Sequence, residues 1–254
     1  MCYRYFGFGD FEPPDVDEFE SMFAMAMTSM IASHCGALII DVRINNGGWD
    51  DIAMMVVAYL AEEPTFAFSK RDFFRDTTDG TVTYSEINDV AVGPASLYFD
   101  GPVVALSSES NAGTGEIFAL SVKDLPSVTV MGQRTFGVLS DNLFKYLPNG
   151  WEFFFRNEEY SKNGTIYEVI GVPPDVILSQ QDPLPLDFLV IGEDRYLEEG
   201  LMFLNISIPM PVTDPTMNAT DPPTNATMPT DDSKAVLMFP VVVFAIMMSV
   251  ILAM

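Results

Sequence analysis

Apolar and polar positions along the chain fall into short runs that switch repeatedly between strand and helix periods. Residues 3–8 form a short aromatic strand, and Pro13-Pro14-Asp15 marks a helix start, with Asp15 as N-cap and Glu18 completing a capping box. Phe19, Met22, Phe23, Ala26, Met30 and Ile31 then recur at helical spacing, and Gly36 is the expected stop. The methionines of this helix (Met22, Met25, Met27 and Met30) read as packing residues rather than a sulfur ligand set. Residues 37–40 are an unbroken apolar run closed by Asp41 and Val42, which predicts a central strand buried on both faces. Asn45-Asn46-Gly47-Gly48 turns the chain, and Asp50 or Asp51 is expected to cap a helix through Leu60. Residues 103–106 repeat the buried-strand pattern, a helix follows from about Gly113 to Lys123, and 127–131 form a third strand. Residues 143–178 look hairpin-like, with turns at Leu147-Pro-Asn-Gly-Trp151 and Lys162-Asn-Gly-Thr165. This alternation argues for an α/β fold with a mainly parallel, layered sheet.

The end of the chain departs from that pattern. Residues 235–254 carry no charge and are almost wholly apolar, long enough as a helix (about 30 Å) to cross a hydrocarbon core. Two readings stay open: a transmembrane tail anchor, or a signal removed for a glycosylphosphatidylinositol anchor near Asn225-Ala226-Thr227 or Ser233. The preceding stretch, rich in Pro, Thr, Asn, Met and Asp, reads as an extended stalk. The sequons at Asn205, Asn218 and Asn225 lie in it, and a further one at Asn163 sits in a turn. The expected organisation is a domain over 1–200, a stalk over 201–234 and a hydrophobic tail over 235–254.

The sequons and tail favour a glycosylated cell-surface protein, yet residues 1–14 lack the apolar core of a signal peptide. Either sequence upstream of Met1 supplies one, the favoured reading, or the bulk faces the cytosol behind a tail anchor. A net charge of −24 argues against nucleic acid, whose phosphates need clustered Lys and Arg. The acidic residues are scattered, and no zinc-type spacing appears, so neither a metal nor another cofactor is expected. Cys2 and Cys35 could form one bridge; a small buried thiol at Cys35 is the competing reading and the one preferred.

The candidate chemistry lies between Leu106 and Leu120, where a strand runs through Ser-Ser-Glu-Ser-Asn-Ala-Gly-Thr-Gly-Glu into a helix, the layout that presents a nucleophile over a helix N-terminus. Three segments around it resemble the tail-specific, or C-terminal-processing, serine peptidases. They are Leu38-Ile-Ile-Asp-Val-Arg-Ile-Asn-Asn-Gly-Gly48, the strand at Gly101-Pro-Val-Val-Ala-Leu with Asn111-Ala-Gly-Thr-Gly-Glu-Ile-Phe118, and Gly132-Gln-Arg-Thr-Phe-Gly137. Leu147-Pro-Asn-Gly150 and Gly171-Val-Pro-Pro-Asp175 resemble the family's closing segments, so the likeness covers about residues 1–180. It implies a crotonase-like α/β core (the ClpP/crotonase type), closest to the branch of tricorn protease and the interphotoreceptor retinoid-binding protein. It also implies an oxyanion hole built from the amide of Gly47 or Gly48 and that of Thr114. Backbone N–H groups at a Gly-Gly turn and a helix N-terminus suit that task physically. Asp41 and Arg43 are expected to fix the turn rather than take part in chemistry.

The residues that would do covalent chemistry depart from the resemblance. The position that corresponds to the family's serine is Gly113, three residues before Glu116. Thr114 is one residue late, rotated by about 100° on the helix. Ser107, Ser108 and Ser110 read as strand-end and turn residues. Val138 stands where bacterial members carry a lysine, and the sole histidine, His34, reads as a helix-terminal residue rather than a general base. Glu168 corresponds to the distal glutamate of a tricorn-type tetrad. Two functions remain open: a serine peptidase needing upstream sequence and a shifted nucleophile (Thr114 or Ser110), or a pseudo-protease. The latter would bind peptide or protein C-termini, or a small hydrophobic ligand.

Overall fold

A computed structural model of the protein describes residues 3–178 and 194–206, together with the backbone of 237–238. At its centre is a parallel sheet made by β1 (Tyr3–Gly7), β2 (Ala37–Asp41), β6 (Val103–Ser107), β7 (Val128–Gly132), β12 (Val176–Ile177) and the two-residue β13 (Leu237–Met238). Its order is β12-β7-β6-β2-β1-β13, and every neighbouring pair runs parallel. β2 and β6 are buried at every position, as the apolar runs predict for strands covered on both faces. Leu38 and Ile40 point into one core layer, with Phe6, Val103 and Ala105, while Ala37 and Ile39 point into the other, with Val104 and Leu106.

The first layer is closed by α1 (Val16–Ala32) and α2 (Asp50–Ala58) and reached by α3 (Thr114–Val122), the second by α4 (Arg195–Phe203). Leu201, Leu204 and Ile206 are buried in the second layer, so the packed domain runs to at least Ile206, past the boundary expected at 200. Asn205, assigned above to the stalk, is therefore an exposed residue at the C-terminal turn of α4, held at φ 56°. The rest of the stalk, Asn218 and Asn225 included, lies outside the described residues, as does the apolar tail except for β13. Among the described residues no helix is long and apolar enough to cross a membrane.

Asp15 caps α1 by accepting the Glu18 amide at 2.9 Å, as expected. The helix does not run on to Gly36. His34 takes φ 52° while its amide donates to the Ile31 carbonyl and that of Cys35 to the Met30 carbonyl, a Schellman closure built on a histidine. Phe23, Met27 and Met30 are buried and Phe19, Ala26 and Ile31 pack against the same core, so the expected stripe holds except at Met22, which is exposed, as is Met25. Cys35 is disulfide-bonded rather than a free thiol; Cys2 lies outside the described residues.

Apart from the hairpin turn expected at Lys162–Thr165, a second, antiparallel sheet went unread in the sequence. The eleven-residue β3 (Thr65–Arg75) pairs with β4 (Val82–Tyr84), β5 (Asn88–Val92) and β10 (Glu158–Lys162), and β11 (Thr165–Ile166) adds to β10. Its inner face, with Ala67, Phe68 and Tyr160, packs on Ile117 and Leu120 of α3. All nine residues of α3 are consequently buried between the two sheets. β8 (Leu143–Tyr146) and β9 (Glu152–Phe155) form a separate hairpin.

Candidate active site

Two turns meet at the carboxyl ends of β2 and β6. After β2, the chain passes Arg43 and turns back at Asn45–Gly48. Arg43 is 2% exposed; its amide and its guanidinium both bind the Asp41 carboxylate, and the guanidinium also makes paired bonds of 2.7 and 2.6 Å to Asp194. Burial works against its charge, but the bonds to Asp41 and Asp194 outweigh burial and raise its pKa. The Tyr5 hydroxyl donates to Asp41 at 2.6 Å. Asp194 also caps α4 through the Leu197 amide. Asp41 and Arg43 thus fix the turn, as expected, and in addition clamp α4 to it.

The second turn is locked onto the first by Asn111, which is fully buried. Its Nδ2 donates to the Val42 carbonyl, its Oδ1 accepts the Ser108 amide at 2.9 Å, and the neighbouring Ala112 amide donates to the Asn45 carbonyl. Ser108 Oγ donates to the Arg43 carbonyl and Ser107 Oγ to the Gln133 carbonyl. Both serines are structural, and Ser110 is exposed on the turn. Gly113 follows at φ 55°, ψ −129° as the N-cap of α3, its amide donating to the Val138 carbonyl at 2.7 Å. A side chain there would aim its Cβ at Gly47, 3.2 Å from that Cα. The seat that the resemblance assigns to a nucleophile is therefore present, faces the Gly-Gly turn, and holds no side chain.

The donors around it are sorted by their partners. The Gly47 amide is turned onto Asn45 Oδ1 at 3.1 Å. The amides of Gly48 and of Thr114, first residue of α3, meet no protein acceptor among the described residues. Gly48 and Thr114 are thus the pair with open amides. Gly48 lies against the Phe11 backbone, where an added Cβ would come within 2.3 Å of the Phe11 carbonyl carbon. The Thr114 hydroxyl donates to the Gly48 carbonyl at 2.7 Å and lies 3.0 Å from Asp50 Oδ1.

Asp50 is the first residue of α2, whose N-cap is Trp49 without a side-chain bond; neither Asp50 nor Asp51 caps it, and the helix ends at Ala58 rather than Leu60. Burial pushes the Asp50 carboxyl up to about 6, against the opposing bond from Thr114. Toward the second sheet, Lys70 lies 3.5 Å from Glu158 and 3.9 Å from Asp141, with the Tyr160 hydroxyl 3.4 Å away.

Glu116 and Glu168 are both spent on loop amides. Glu116 is fully buried and accepts from the Thr135 hydroxyl and from the Gly137 and Val138 amides, the latter two at 2.7 and 2.6 Å. Burial raises its pKa, and those three bonds oppose the rise. Glu168 accepts from the Leu139 and Ser140 amides at 3.0 and 2.9 Å and pairs with Arg156. Val138 contributes its backbone to this loop, its amide to Glu116 and its carbonyl to the Gly113 amide. His34 is exposed in the α1 closing turn. Asn163 is exposed at φ 52° in the β10–β11 turn. Among the described residues no group of His, Cys, Asp and Glu side chains could hold a metal ion.

Residues 8–178, which carry both turns and the Gly132–Gly137 loop, match the family model of peptidase family S41. The chain belongs to that family. It is similar to tricorn protease of Thermoplasma volcanium, 26% identical over 172 residues that make up 65% of this chain and 14% of that protein. It is also similar to a carboxy-terminal-processing protease of Bartonella bacilliformis, 24% identical over 148 residues, 58% of this chain and 31% of that protein. A solved structure from Parabacteroides merdae shares the fold, with a TM-score of 0.62 at 24% identity over 78% of this chain and 60% of that one. This S41 domain therefore spans a minor part of the length of the curated relatives it matches. Sequence reasoning placed the glycine turn, Gly113 and Glu116 in one site. It missed Asn111 as the lock between the turns, Asp50 as the partner of Thr114, and Asp194 as the second anion on Arg43.

Proposed function

We propose that this tail-specific peptidase domain binds peptide or protein C-termini in the cleft between Gly48 and the α3 N-terminus and does not form an acyl-enzyme there. The carrying observation is Gly113: the seat is shaped and aimed as for a nucleophile, but it offers only hydrogen. Thr114 does not stand in, because its hydroxyl is held by the Gly48 carbonyl and Asp50. Val138 brings no base to the loop whose carbonyl holds the Gly113 amide. Covalent catalysis thus lacks both nucleophile and base. Two open amides, that of Gly48 in its turn and that of Thr114 at a helix N-terminus, still suit a carboxylate. Ile44, Trp49 and Phe136, exposed on the segments that frame the cleft, suit the apolar side chain beside it. The core is read as crotonase-like. Residues 235–254 are read as a hydrophobic membrane anchor, as a helix or a removed glycosylphosphatidylinositol signal. The disulfide at Cys35 and the sequons at Asn163, Asn205, Asn218 and Asn225 support a glycosylated cell-surface protein.

The test pairs a fluorescent peptide ending in apolar residues, read by anisotropy, with a serine-reactive fluorophosphonate probe on the full chain. Binding that weakens when the peptide is C-terminally amidated, with neither labelling nor cleavage, is expected. Cleavage lost in Thr114→Ala would overturn the non-catalytic part, and absence of binding would overturn the peptide part.

A further inference from the structure

The hairpin of β8 and β9 pairs with no other strand among the described residues and is exposed along its whole length. Its register sets Leu143 opposite Phe155 and Lys145 opposite Phe153 on one face. Phe144 opposite Phe154 and Tyr146 opposite Glu152 occupy the other. Rings touch on both faces, Phe153 with Phe155 and Phe144 with Phe154, each at 5.9 Å between centroids. At the tip, Tyr146 is 75% and Trp151 71% exposed, with Leu147 beside them. An isolated two-stranded ribbon is marginal in water, and apolar side chains on both faces remove even the usual option of resting one face on a core.

From this we infer that the hairpin is an interfacial membrane foot, which lays its aromatic tip into the headgroup region of a zwitterionic lipid surface. A folded partner, a second copy of this chain included, presents one surface and covers one face of a ribbon, leaving the other wet. A fluid apolar boundary covers both. Tyr and Trp at the tip are the side chains that favour the membrane–water boundary. Three of the tip's amides are also satisfied internally: Leu147 N–H bonds the Trp151 carbonyl, Gly150 N–H the Leu147 carbonyl, and Trp151 N–H the Asn149 side chain.

Two features set the depth and the lipid. The outer edges of β8 and β9 carry backbone groups that no strand pairs among the described residues, which confines the ribbon to the hydrated boundary. Lys145 and Glu152 cancel within the hairpin, while the whole chain carries −24, so an anionic surface repels it. Proximity to the membrane rests on the anchoring proposed above.

The experiment mixes the full chain with phosphatidylcholine vesicles and reads flotation together with quenching of tryptophan fluorescence by brominated phosphatidylcholine. Trp49→Phe isolates Trp151, and Trp151→Phe isolates Trp49. We expect Trp151 to be quenched and Trp49 not. Tyr146→Ser with Trp151→Ser should lower quenching of a probe placed at 149 about tenfold, and replacing part of the lipid with phosphatidylserine should weaken the contact. Flotation with Trp151 unquenched keeps the anchor and overturns the foot. Flotation that requires Tyr146 and Trp151 keeps the foot and overturns the anchor. A concentration-dependent dimer that shields Trp151 without lipid overturns the foot in favour of a second copy.

Discussion

Replacing Asp50 by Asn changes one titrating group beside the open amides and leaves an acceptor for Thr114. In the folded chain the Asp50 carboxyl sits at about 6, against an ordinary value of 3.8, chiefly because burial penalises its charge. A raised carboxylate pKa means that the folded state holds the proton more tightly than the unfolded chain. Its contribution is therefore fully present below about pH 4 and is lost as pH rises through about 6. At ~1.4 kcal/mol per pKa unit the ceiling is ~3 kcal/mol, and partial exposure of Asp50 brings the expectation to about 1–3 kcal/mol. Geometry supplies a second reason for the sign. The Thr114 hydroxyl has one proton to share between the Gly48 carbonyl and Asp50, and a protonated Asp50 can donate to that oxygen while Thr114 serves Gly48. The assay is urea unfolding at pH 4, 5, 6, 7 and 8 for wild type and Asp50→Asn. The difference between the two curves isolates this group, and it should grow in favour of the variant by about 1–3 kcal/mol from pH 4 to 7. Parallel curves would refute the assignment, and a difference of opposite sign would mean that Thr114 stabilises the ionised form.

Four further substitutions probe the frame around the seat. Arg43→Met leaves Asp41 buried against Tyr5 without its cation and should cost about 3–5 kcal/mol in chemical denaturation, with Asp194→Asn costing less because Asp194 is the more exposed anion. Gly48→Ala puts a methyl carbon within 2.3 Å of the Phe11 backbone at φ 130°; it should lower the melting temperature and weaken peptide binding together. Glu116→Gln keeps one oxygen but turns an NH2 toward an amide donor, Gly137 or Val138, and should cost about 1–3 kcal/mol with faster amide exchange over 135–140.

The parts of the fold that were legible in the sequence are those whose signal is local. The apolar runs that became β2 and β6 announce strands covered on both faces, and Asp15 with Glu18 announces the start of α1. The Gly-Gly turn and Gly113 could be placed because neighbouring motifs fix their register. What escaped depends on partners far along the chain. Arg43 finds Asp194 across 151 positions, and the buried Lys162 caps the α3 carbonyl of Leu120, neither of which leaves a periodic trace. β3 is half-exposed along most of its length, so it lacks the continuous apolar run that marks a central strand. The misplaced end of α1 has a physical cause as well. A glycine was expected to take the left-handed position, but His34 occupies it, and two backbone bonds close the helix regardless.

Gly113 sits where a side chain is costly twice over. At φ 55° an L-residue is strained by roughly 1–2 kcal/mol, and a Cβ there must press on Gly47 at 3.2 Å. A nucleophile in that position would be held at the expense of stability, a cost that chemistry repays and binding does not. Glycine removes it. The surrounding lock, however, keeps its own expense: Asn111 and Glu116 are buried polar groups, and burial pushes the Asp50 carboxyl up to about 6. None of these is needed to stabilise an empty turn, since apolar residues would fill the same space without desolvating an amide or a carboxylate. Asn111 and Glu116 instead brace the turns whose Gly48 and Thr114 amides meet no protein acceptor among the described residues. Under the non-catalytic function proposed above, a chain that carries glycine at the seat and keeps these buried polar groups would hold a carbonyl or carboxylate oxygen rather than attack the carbon beside it.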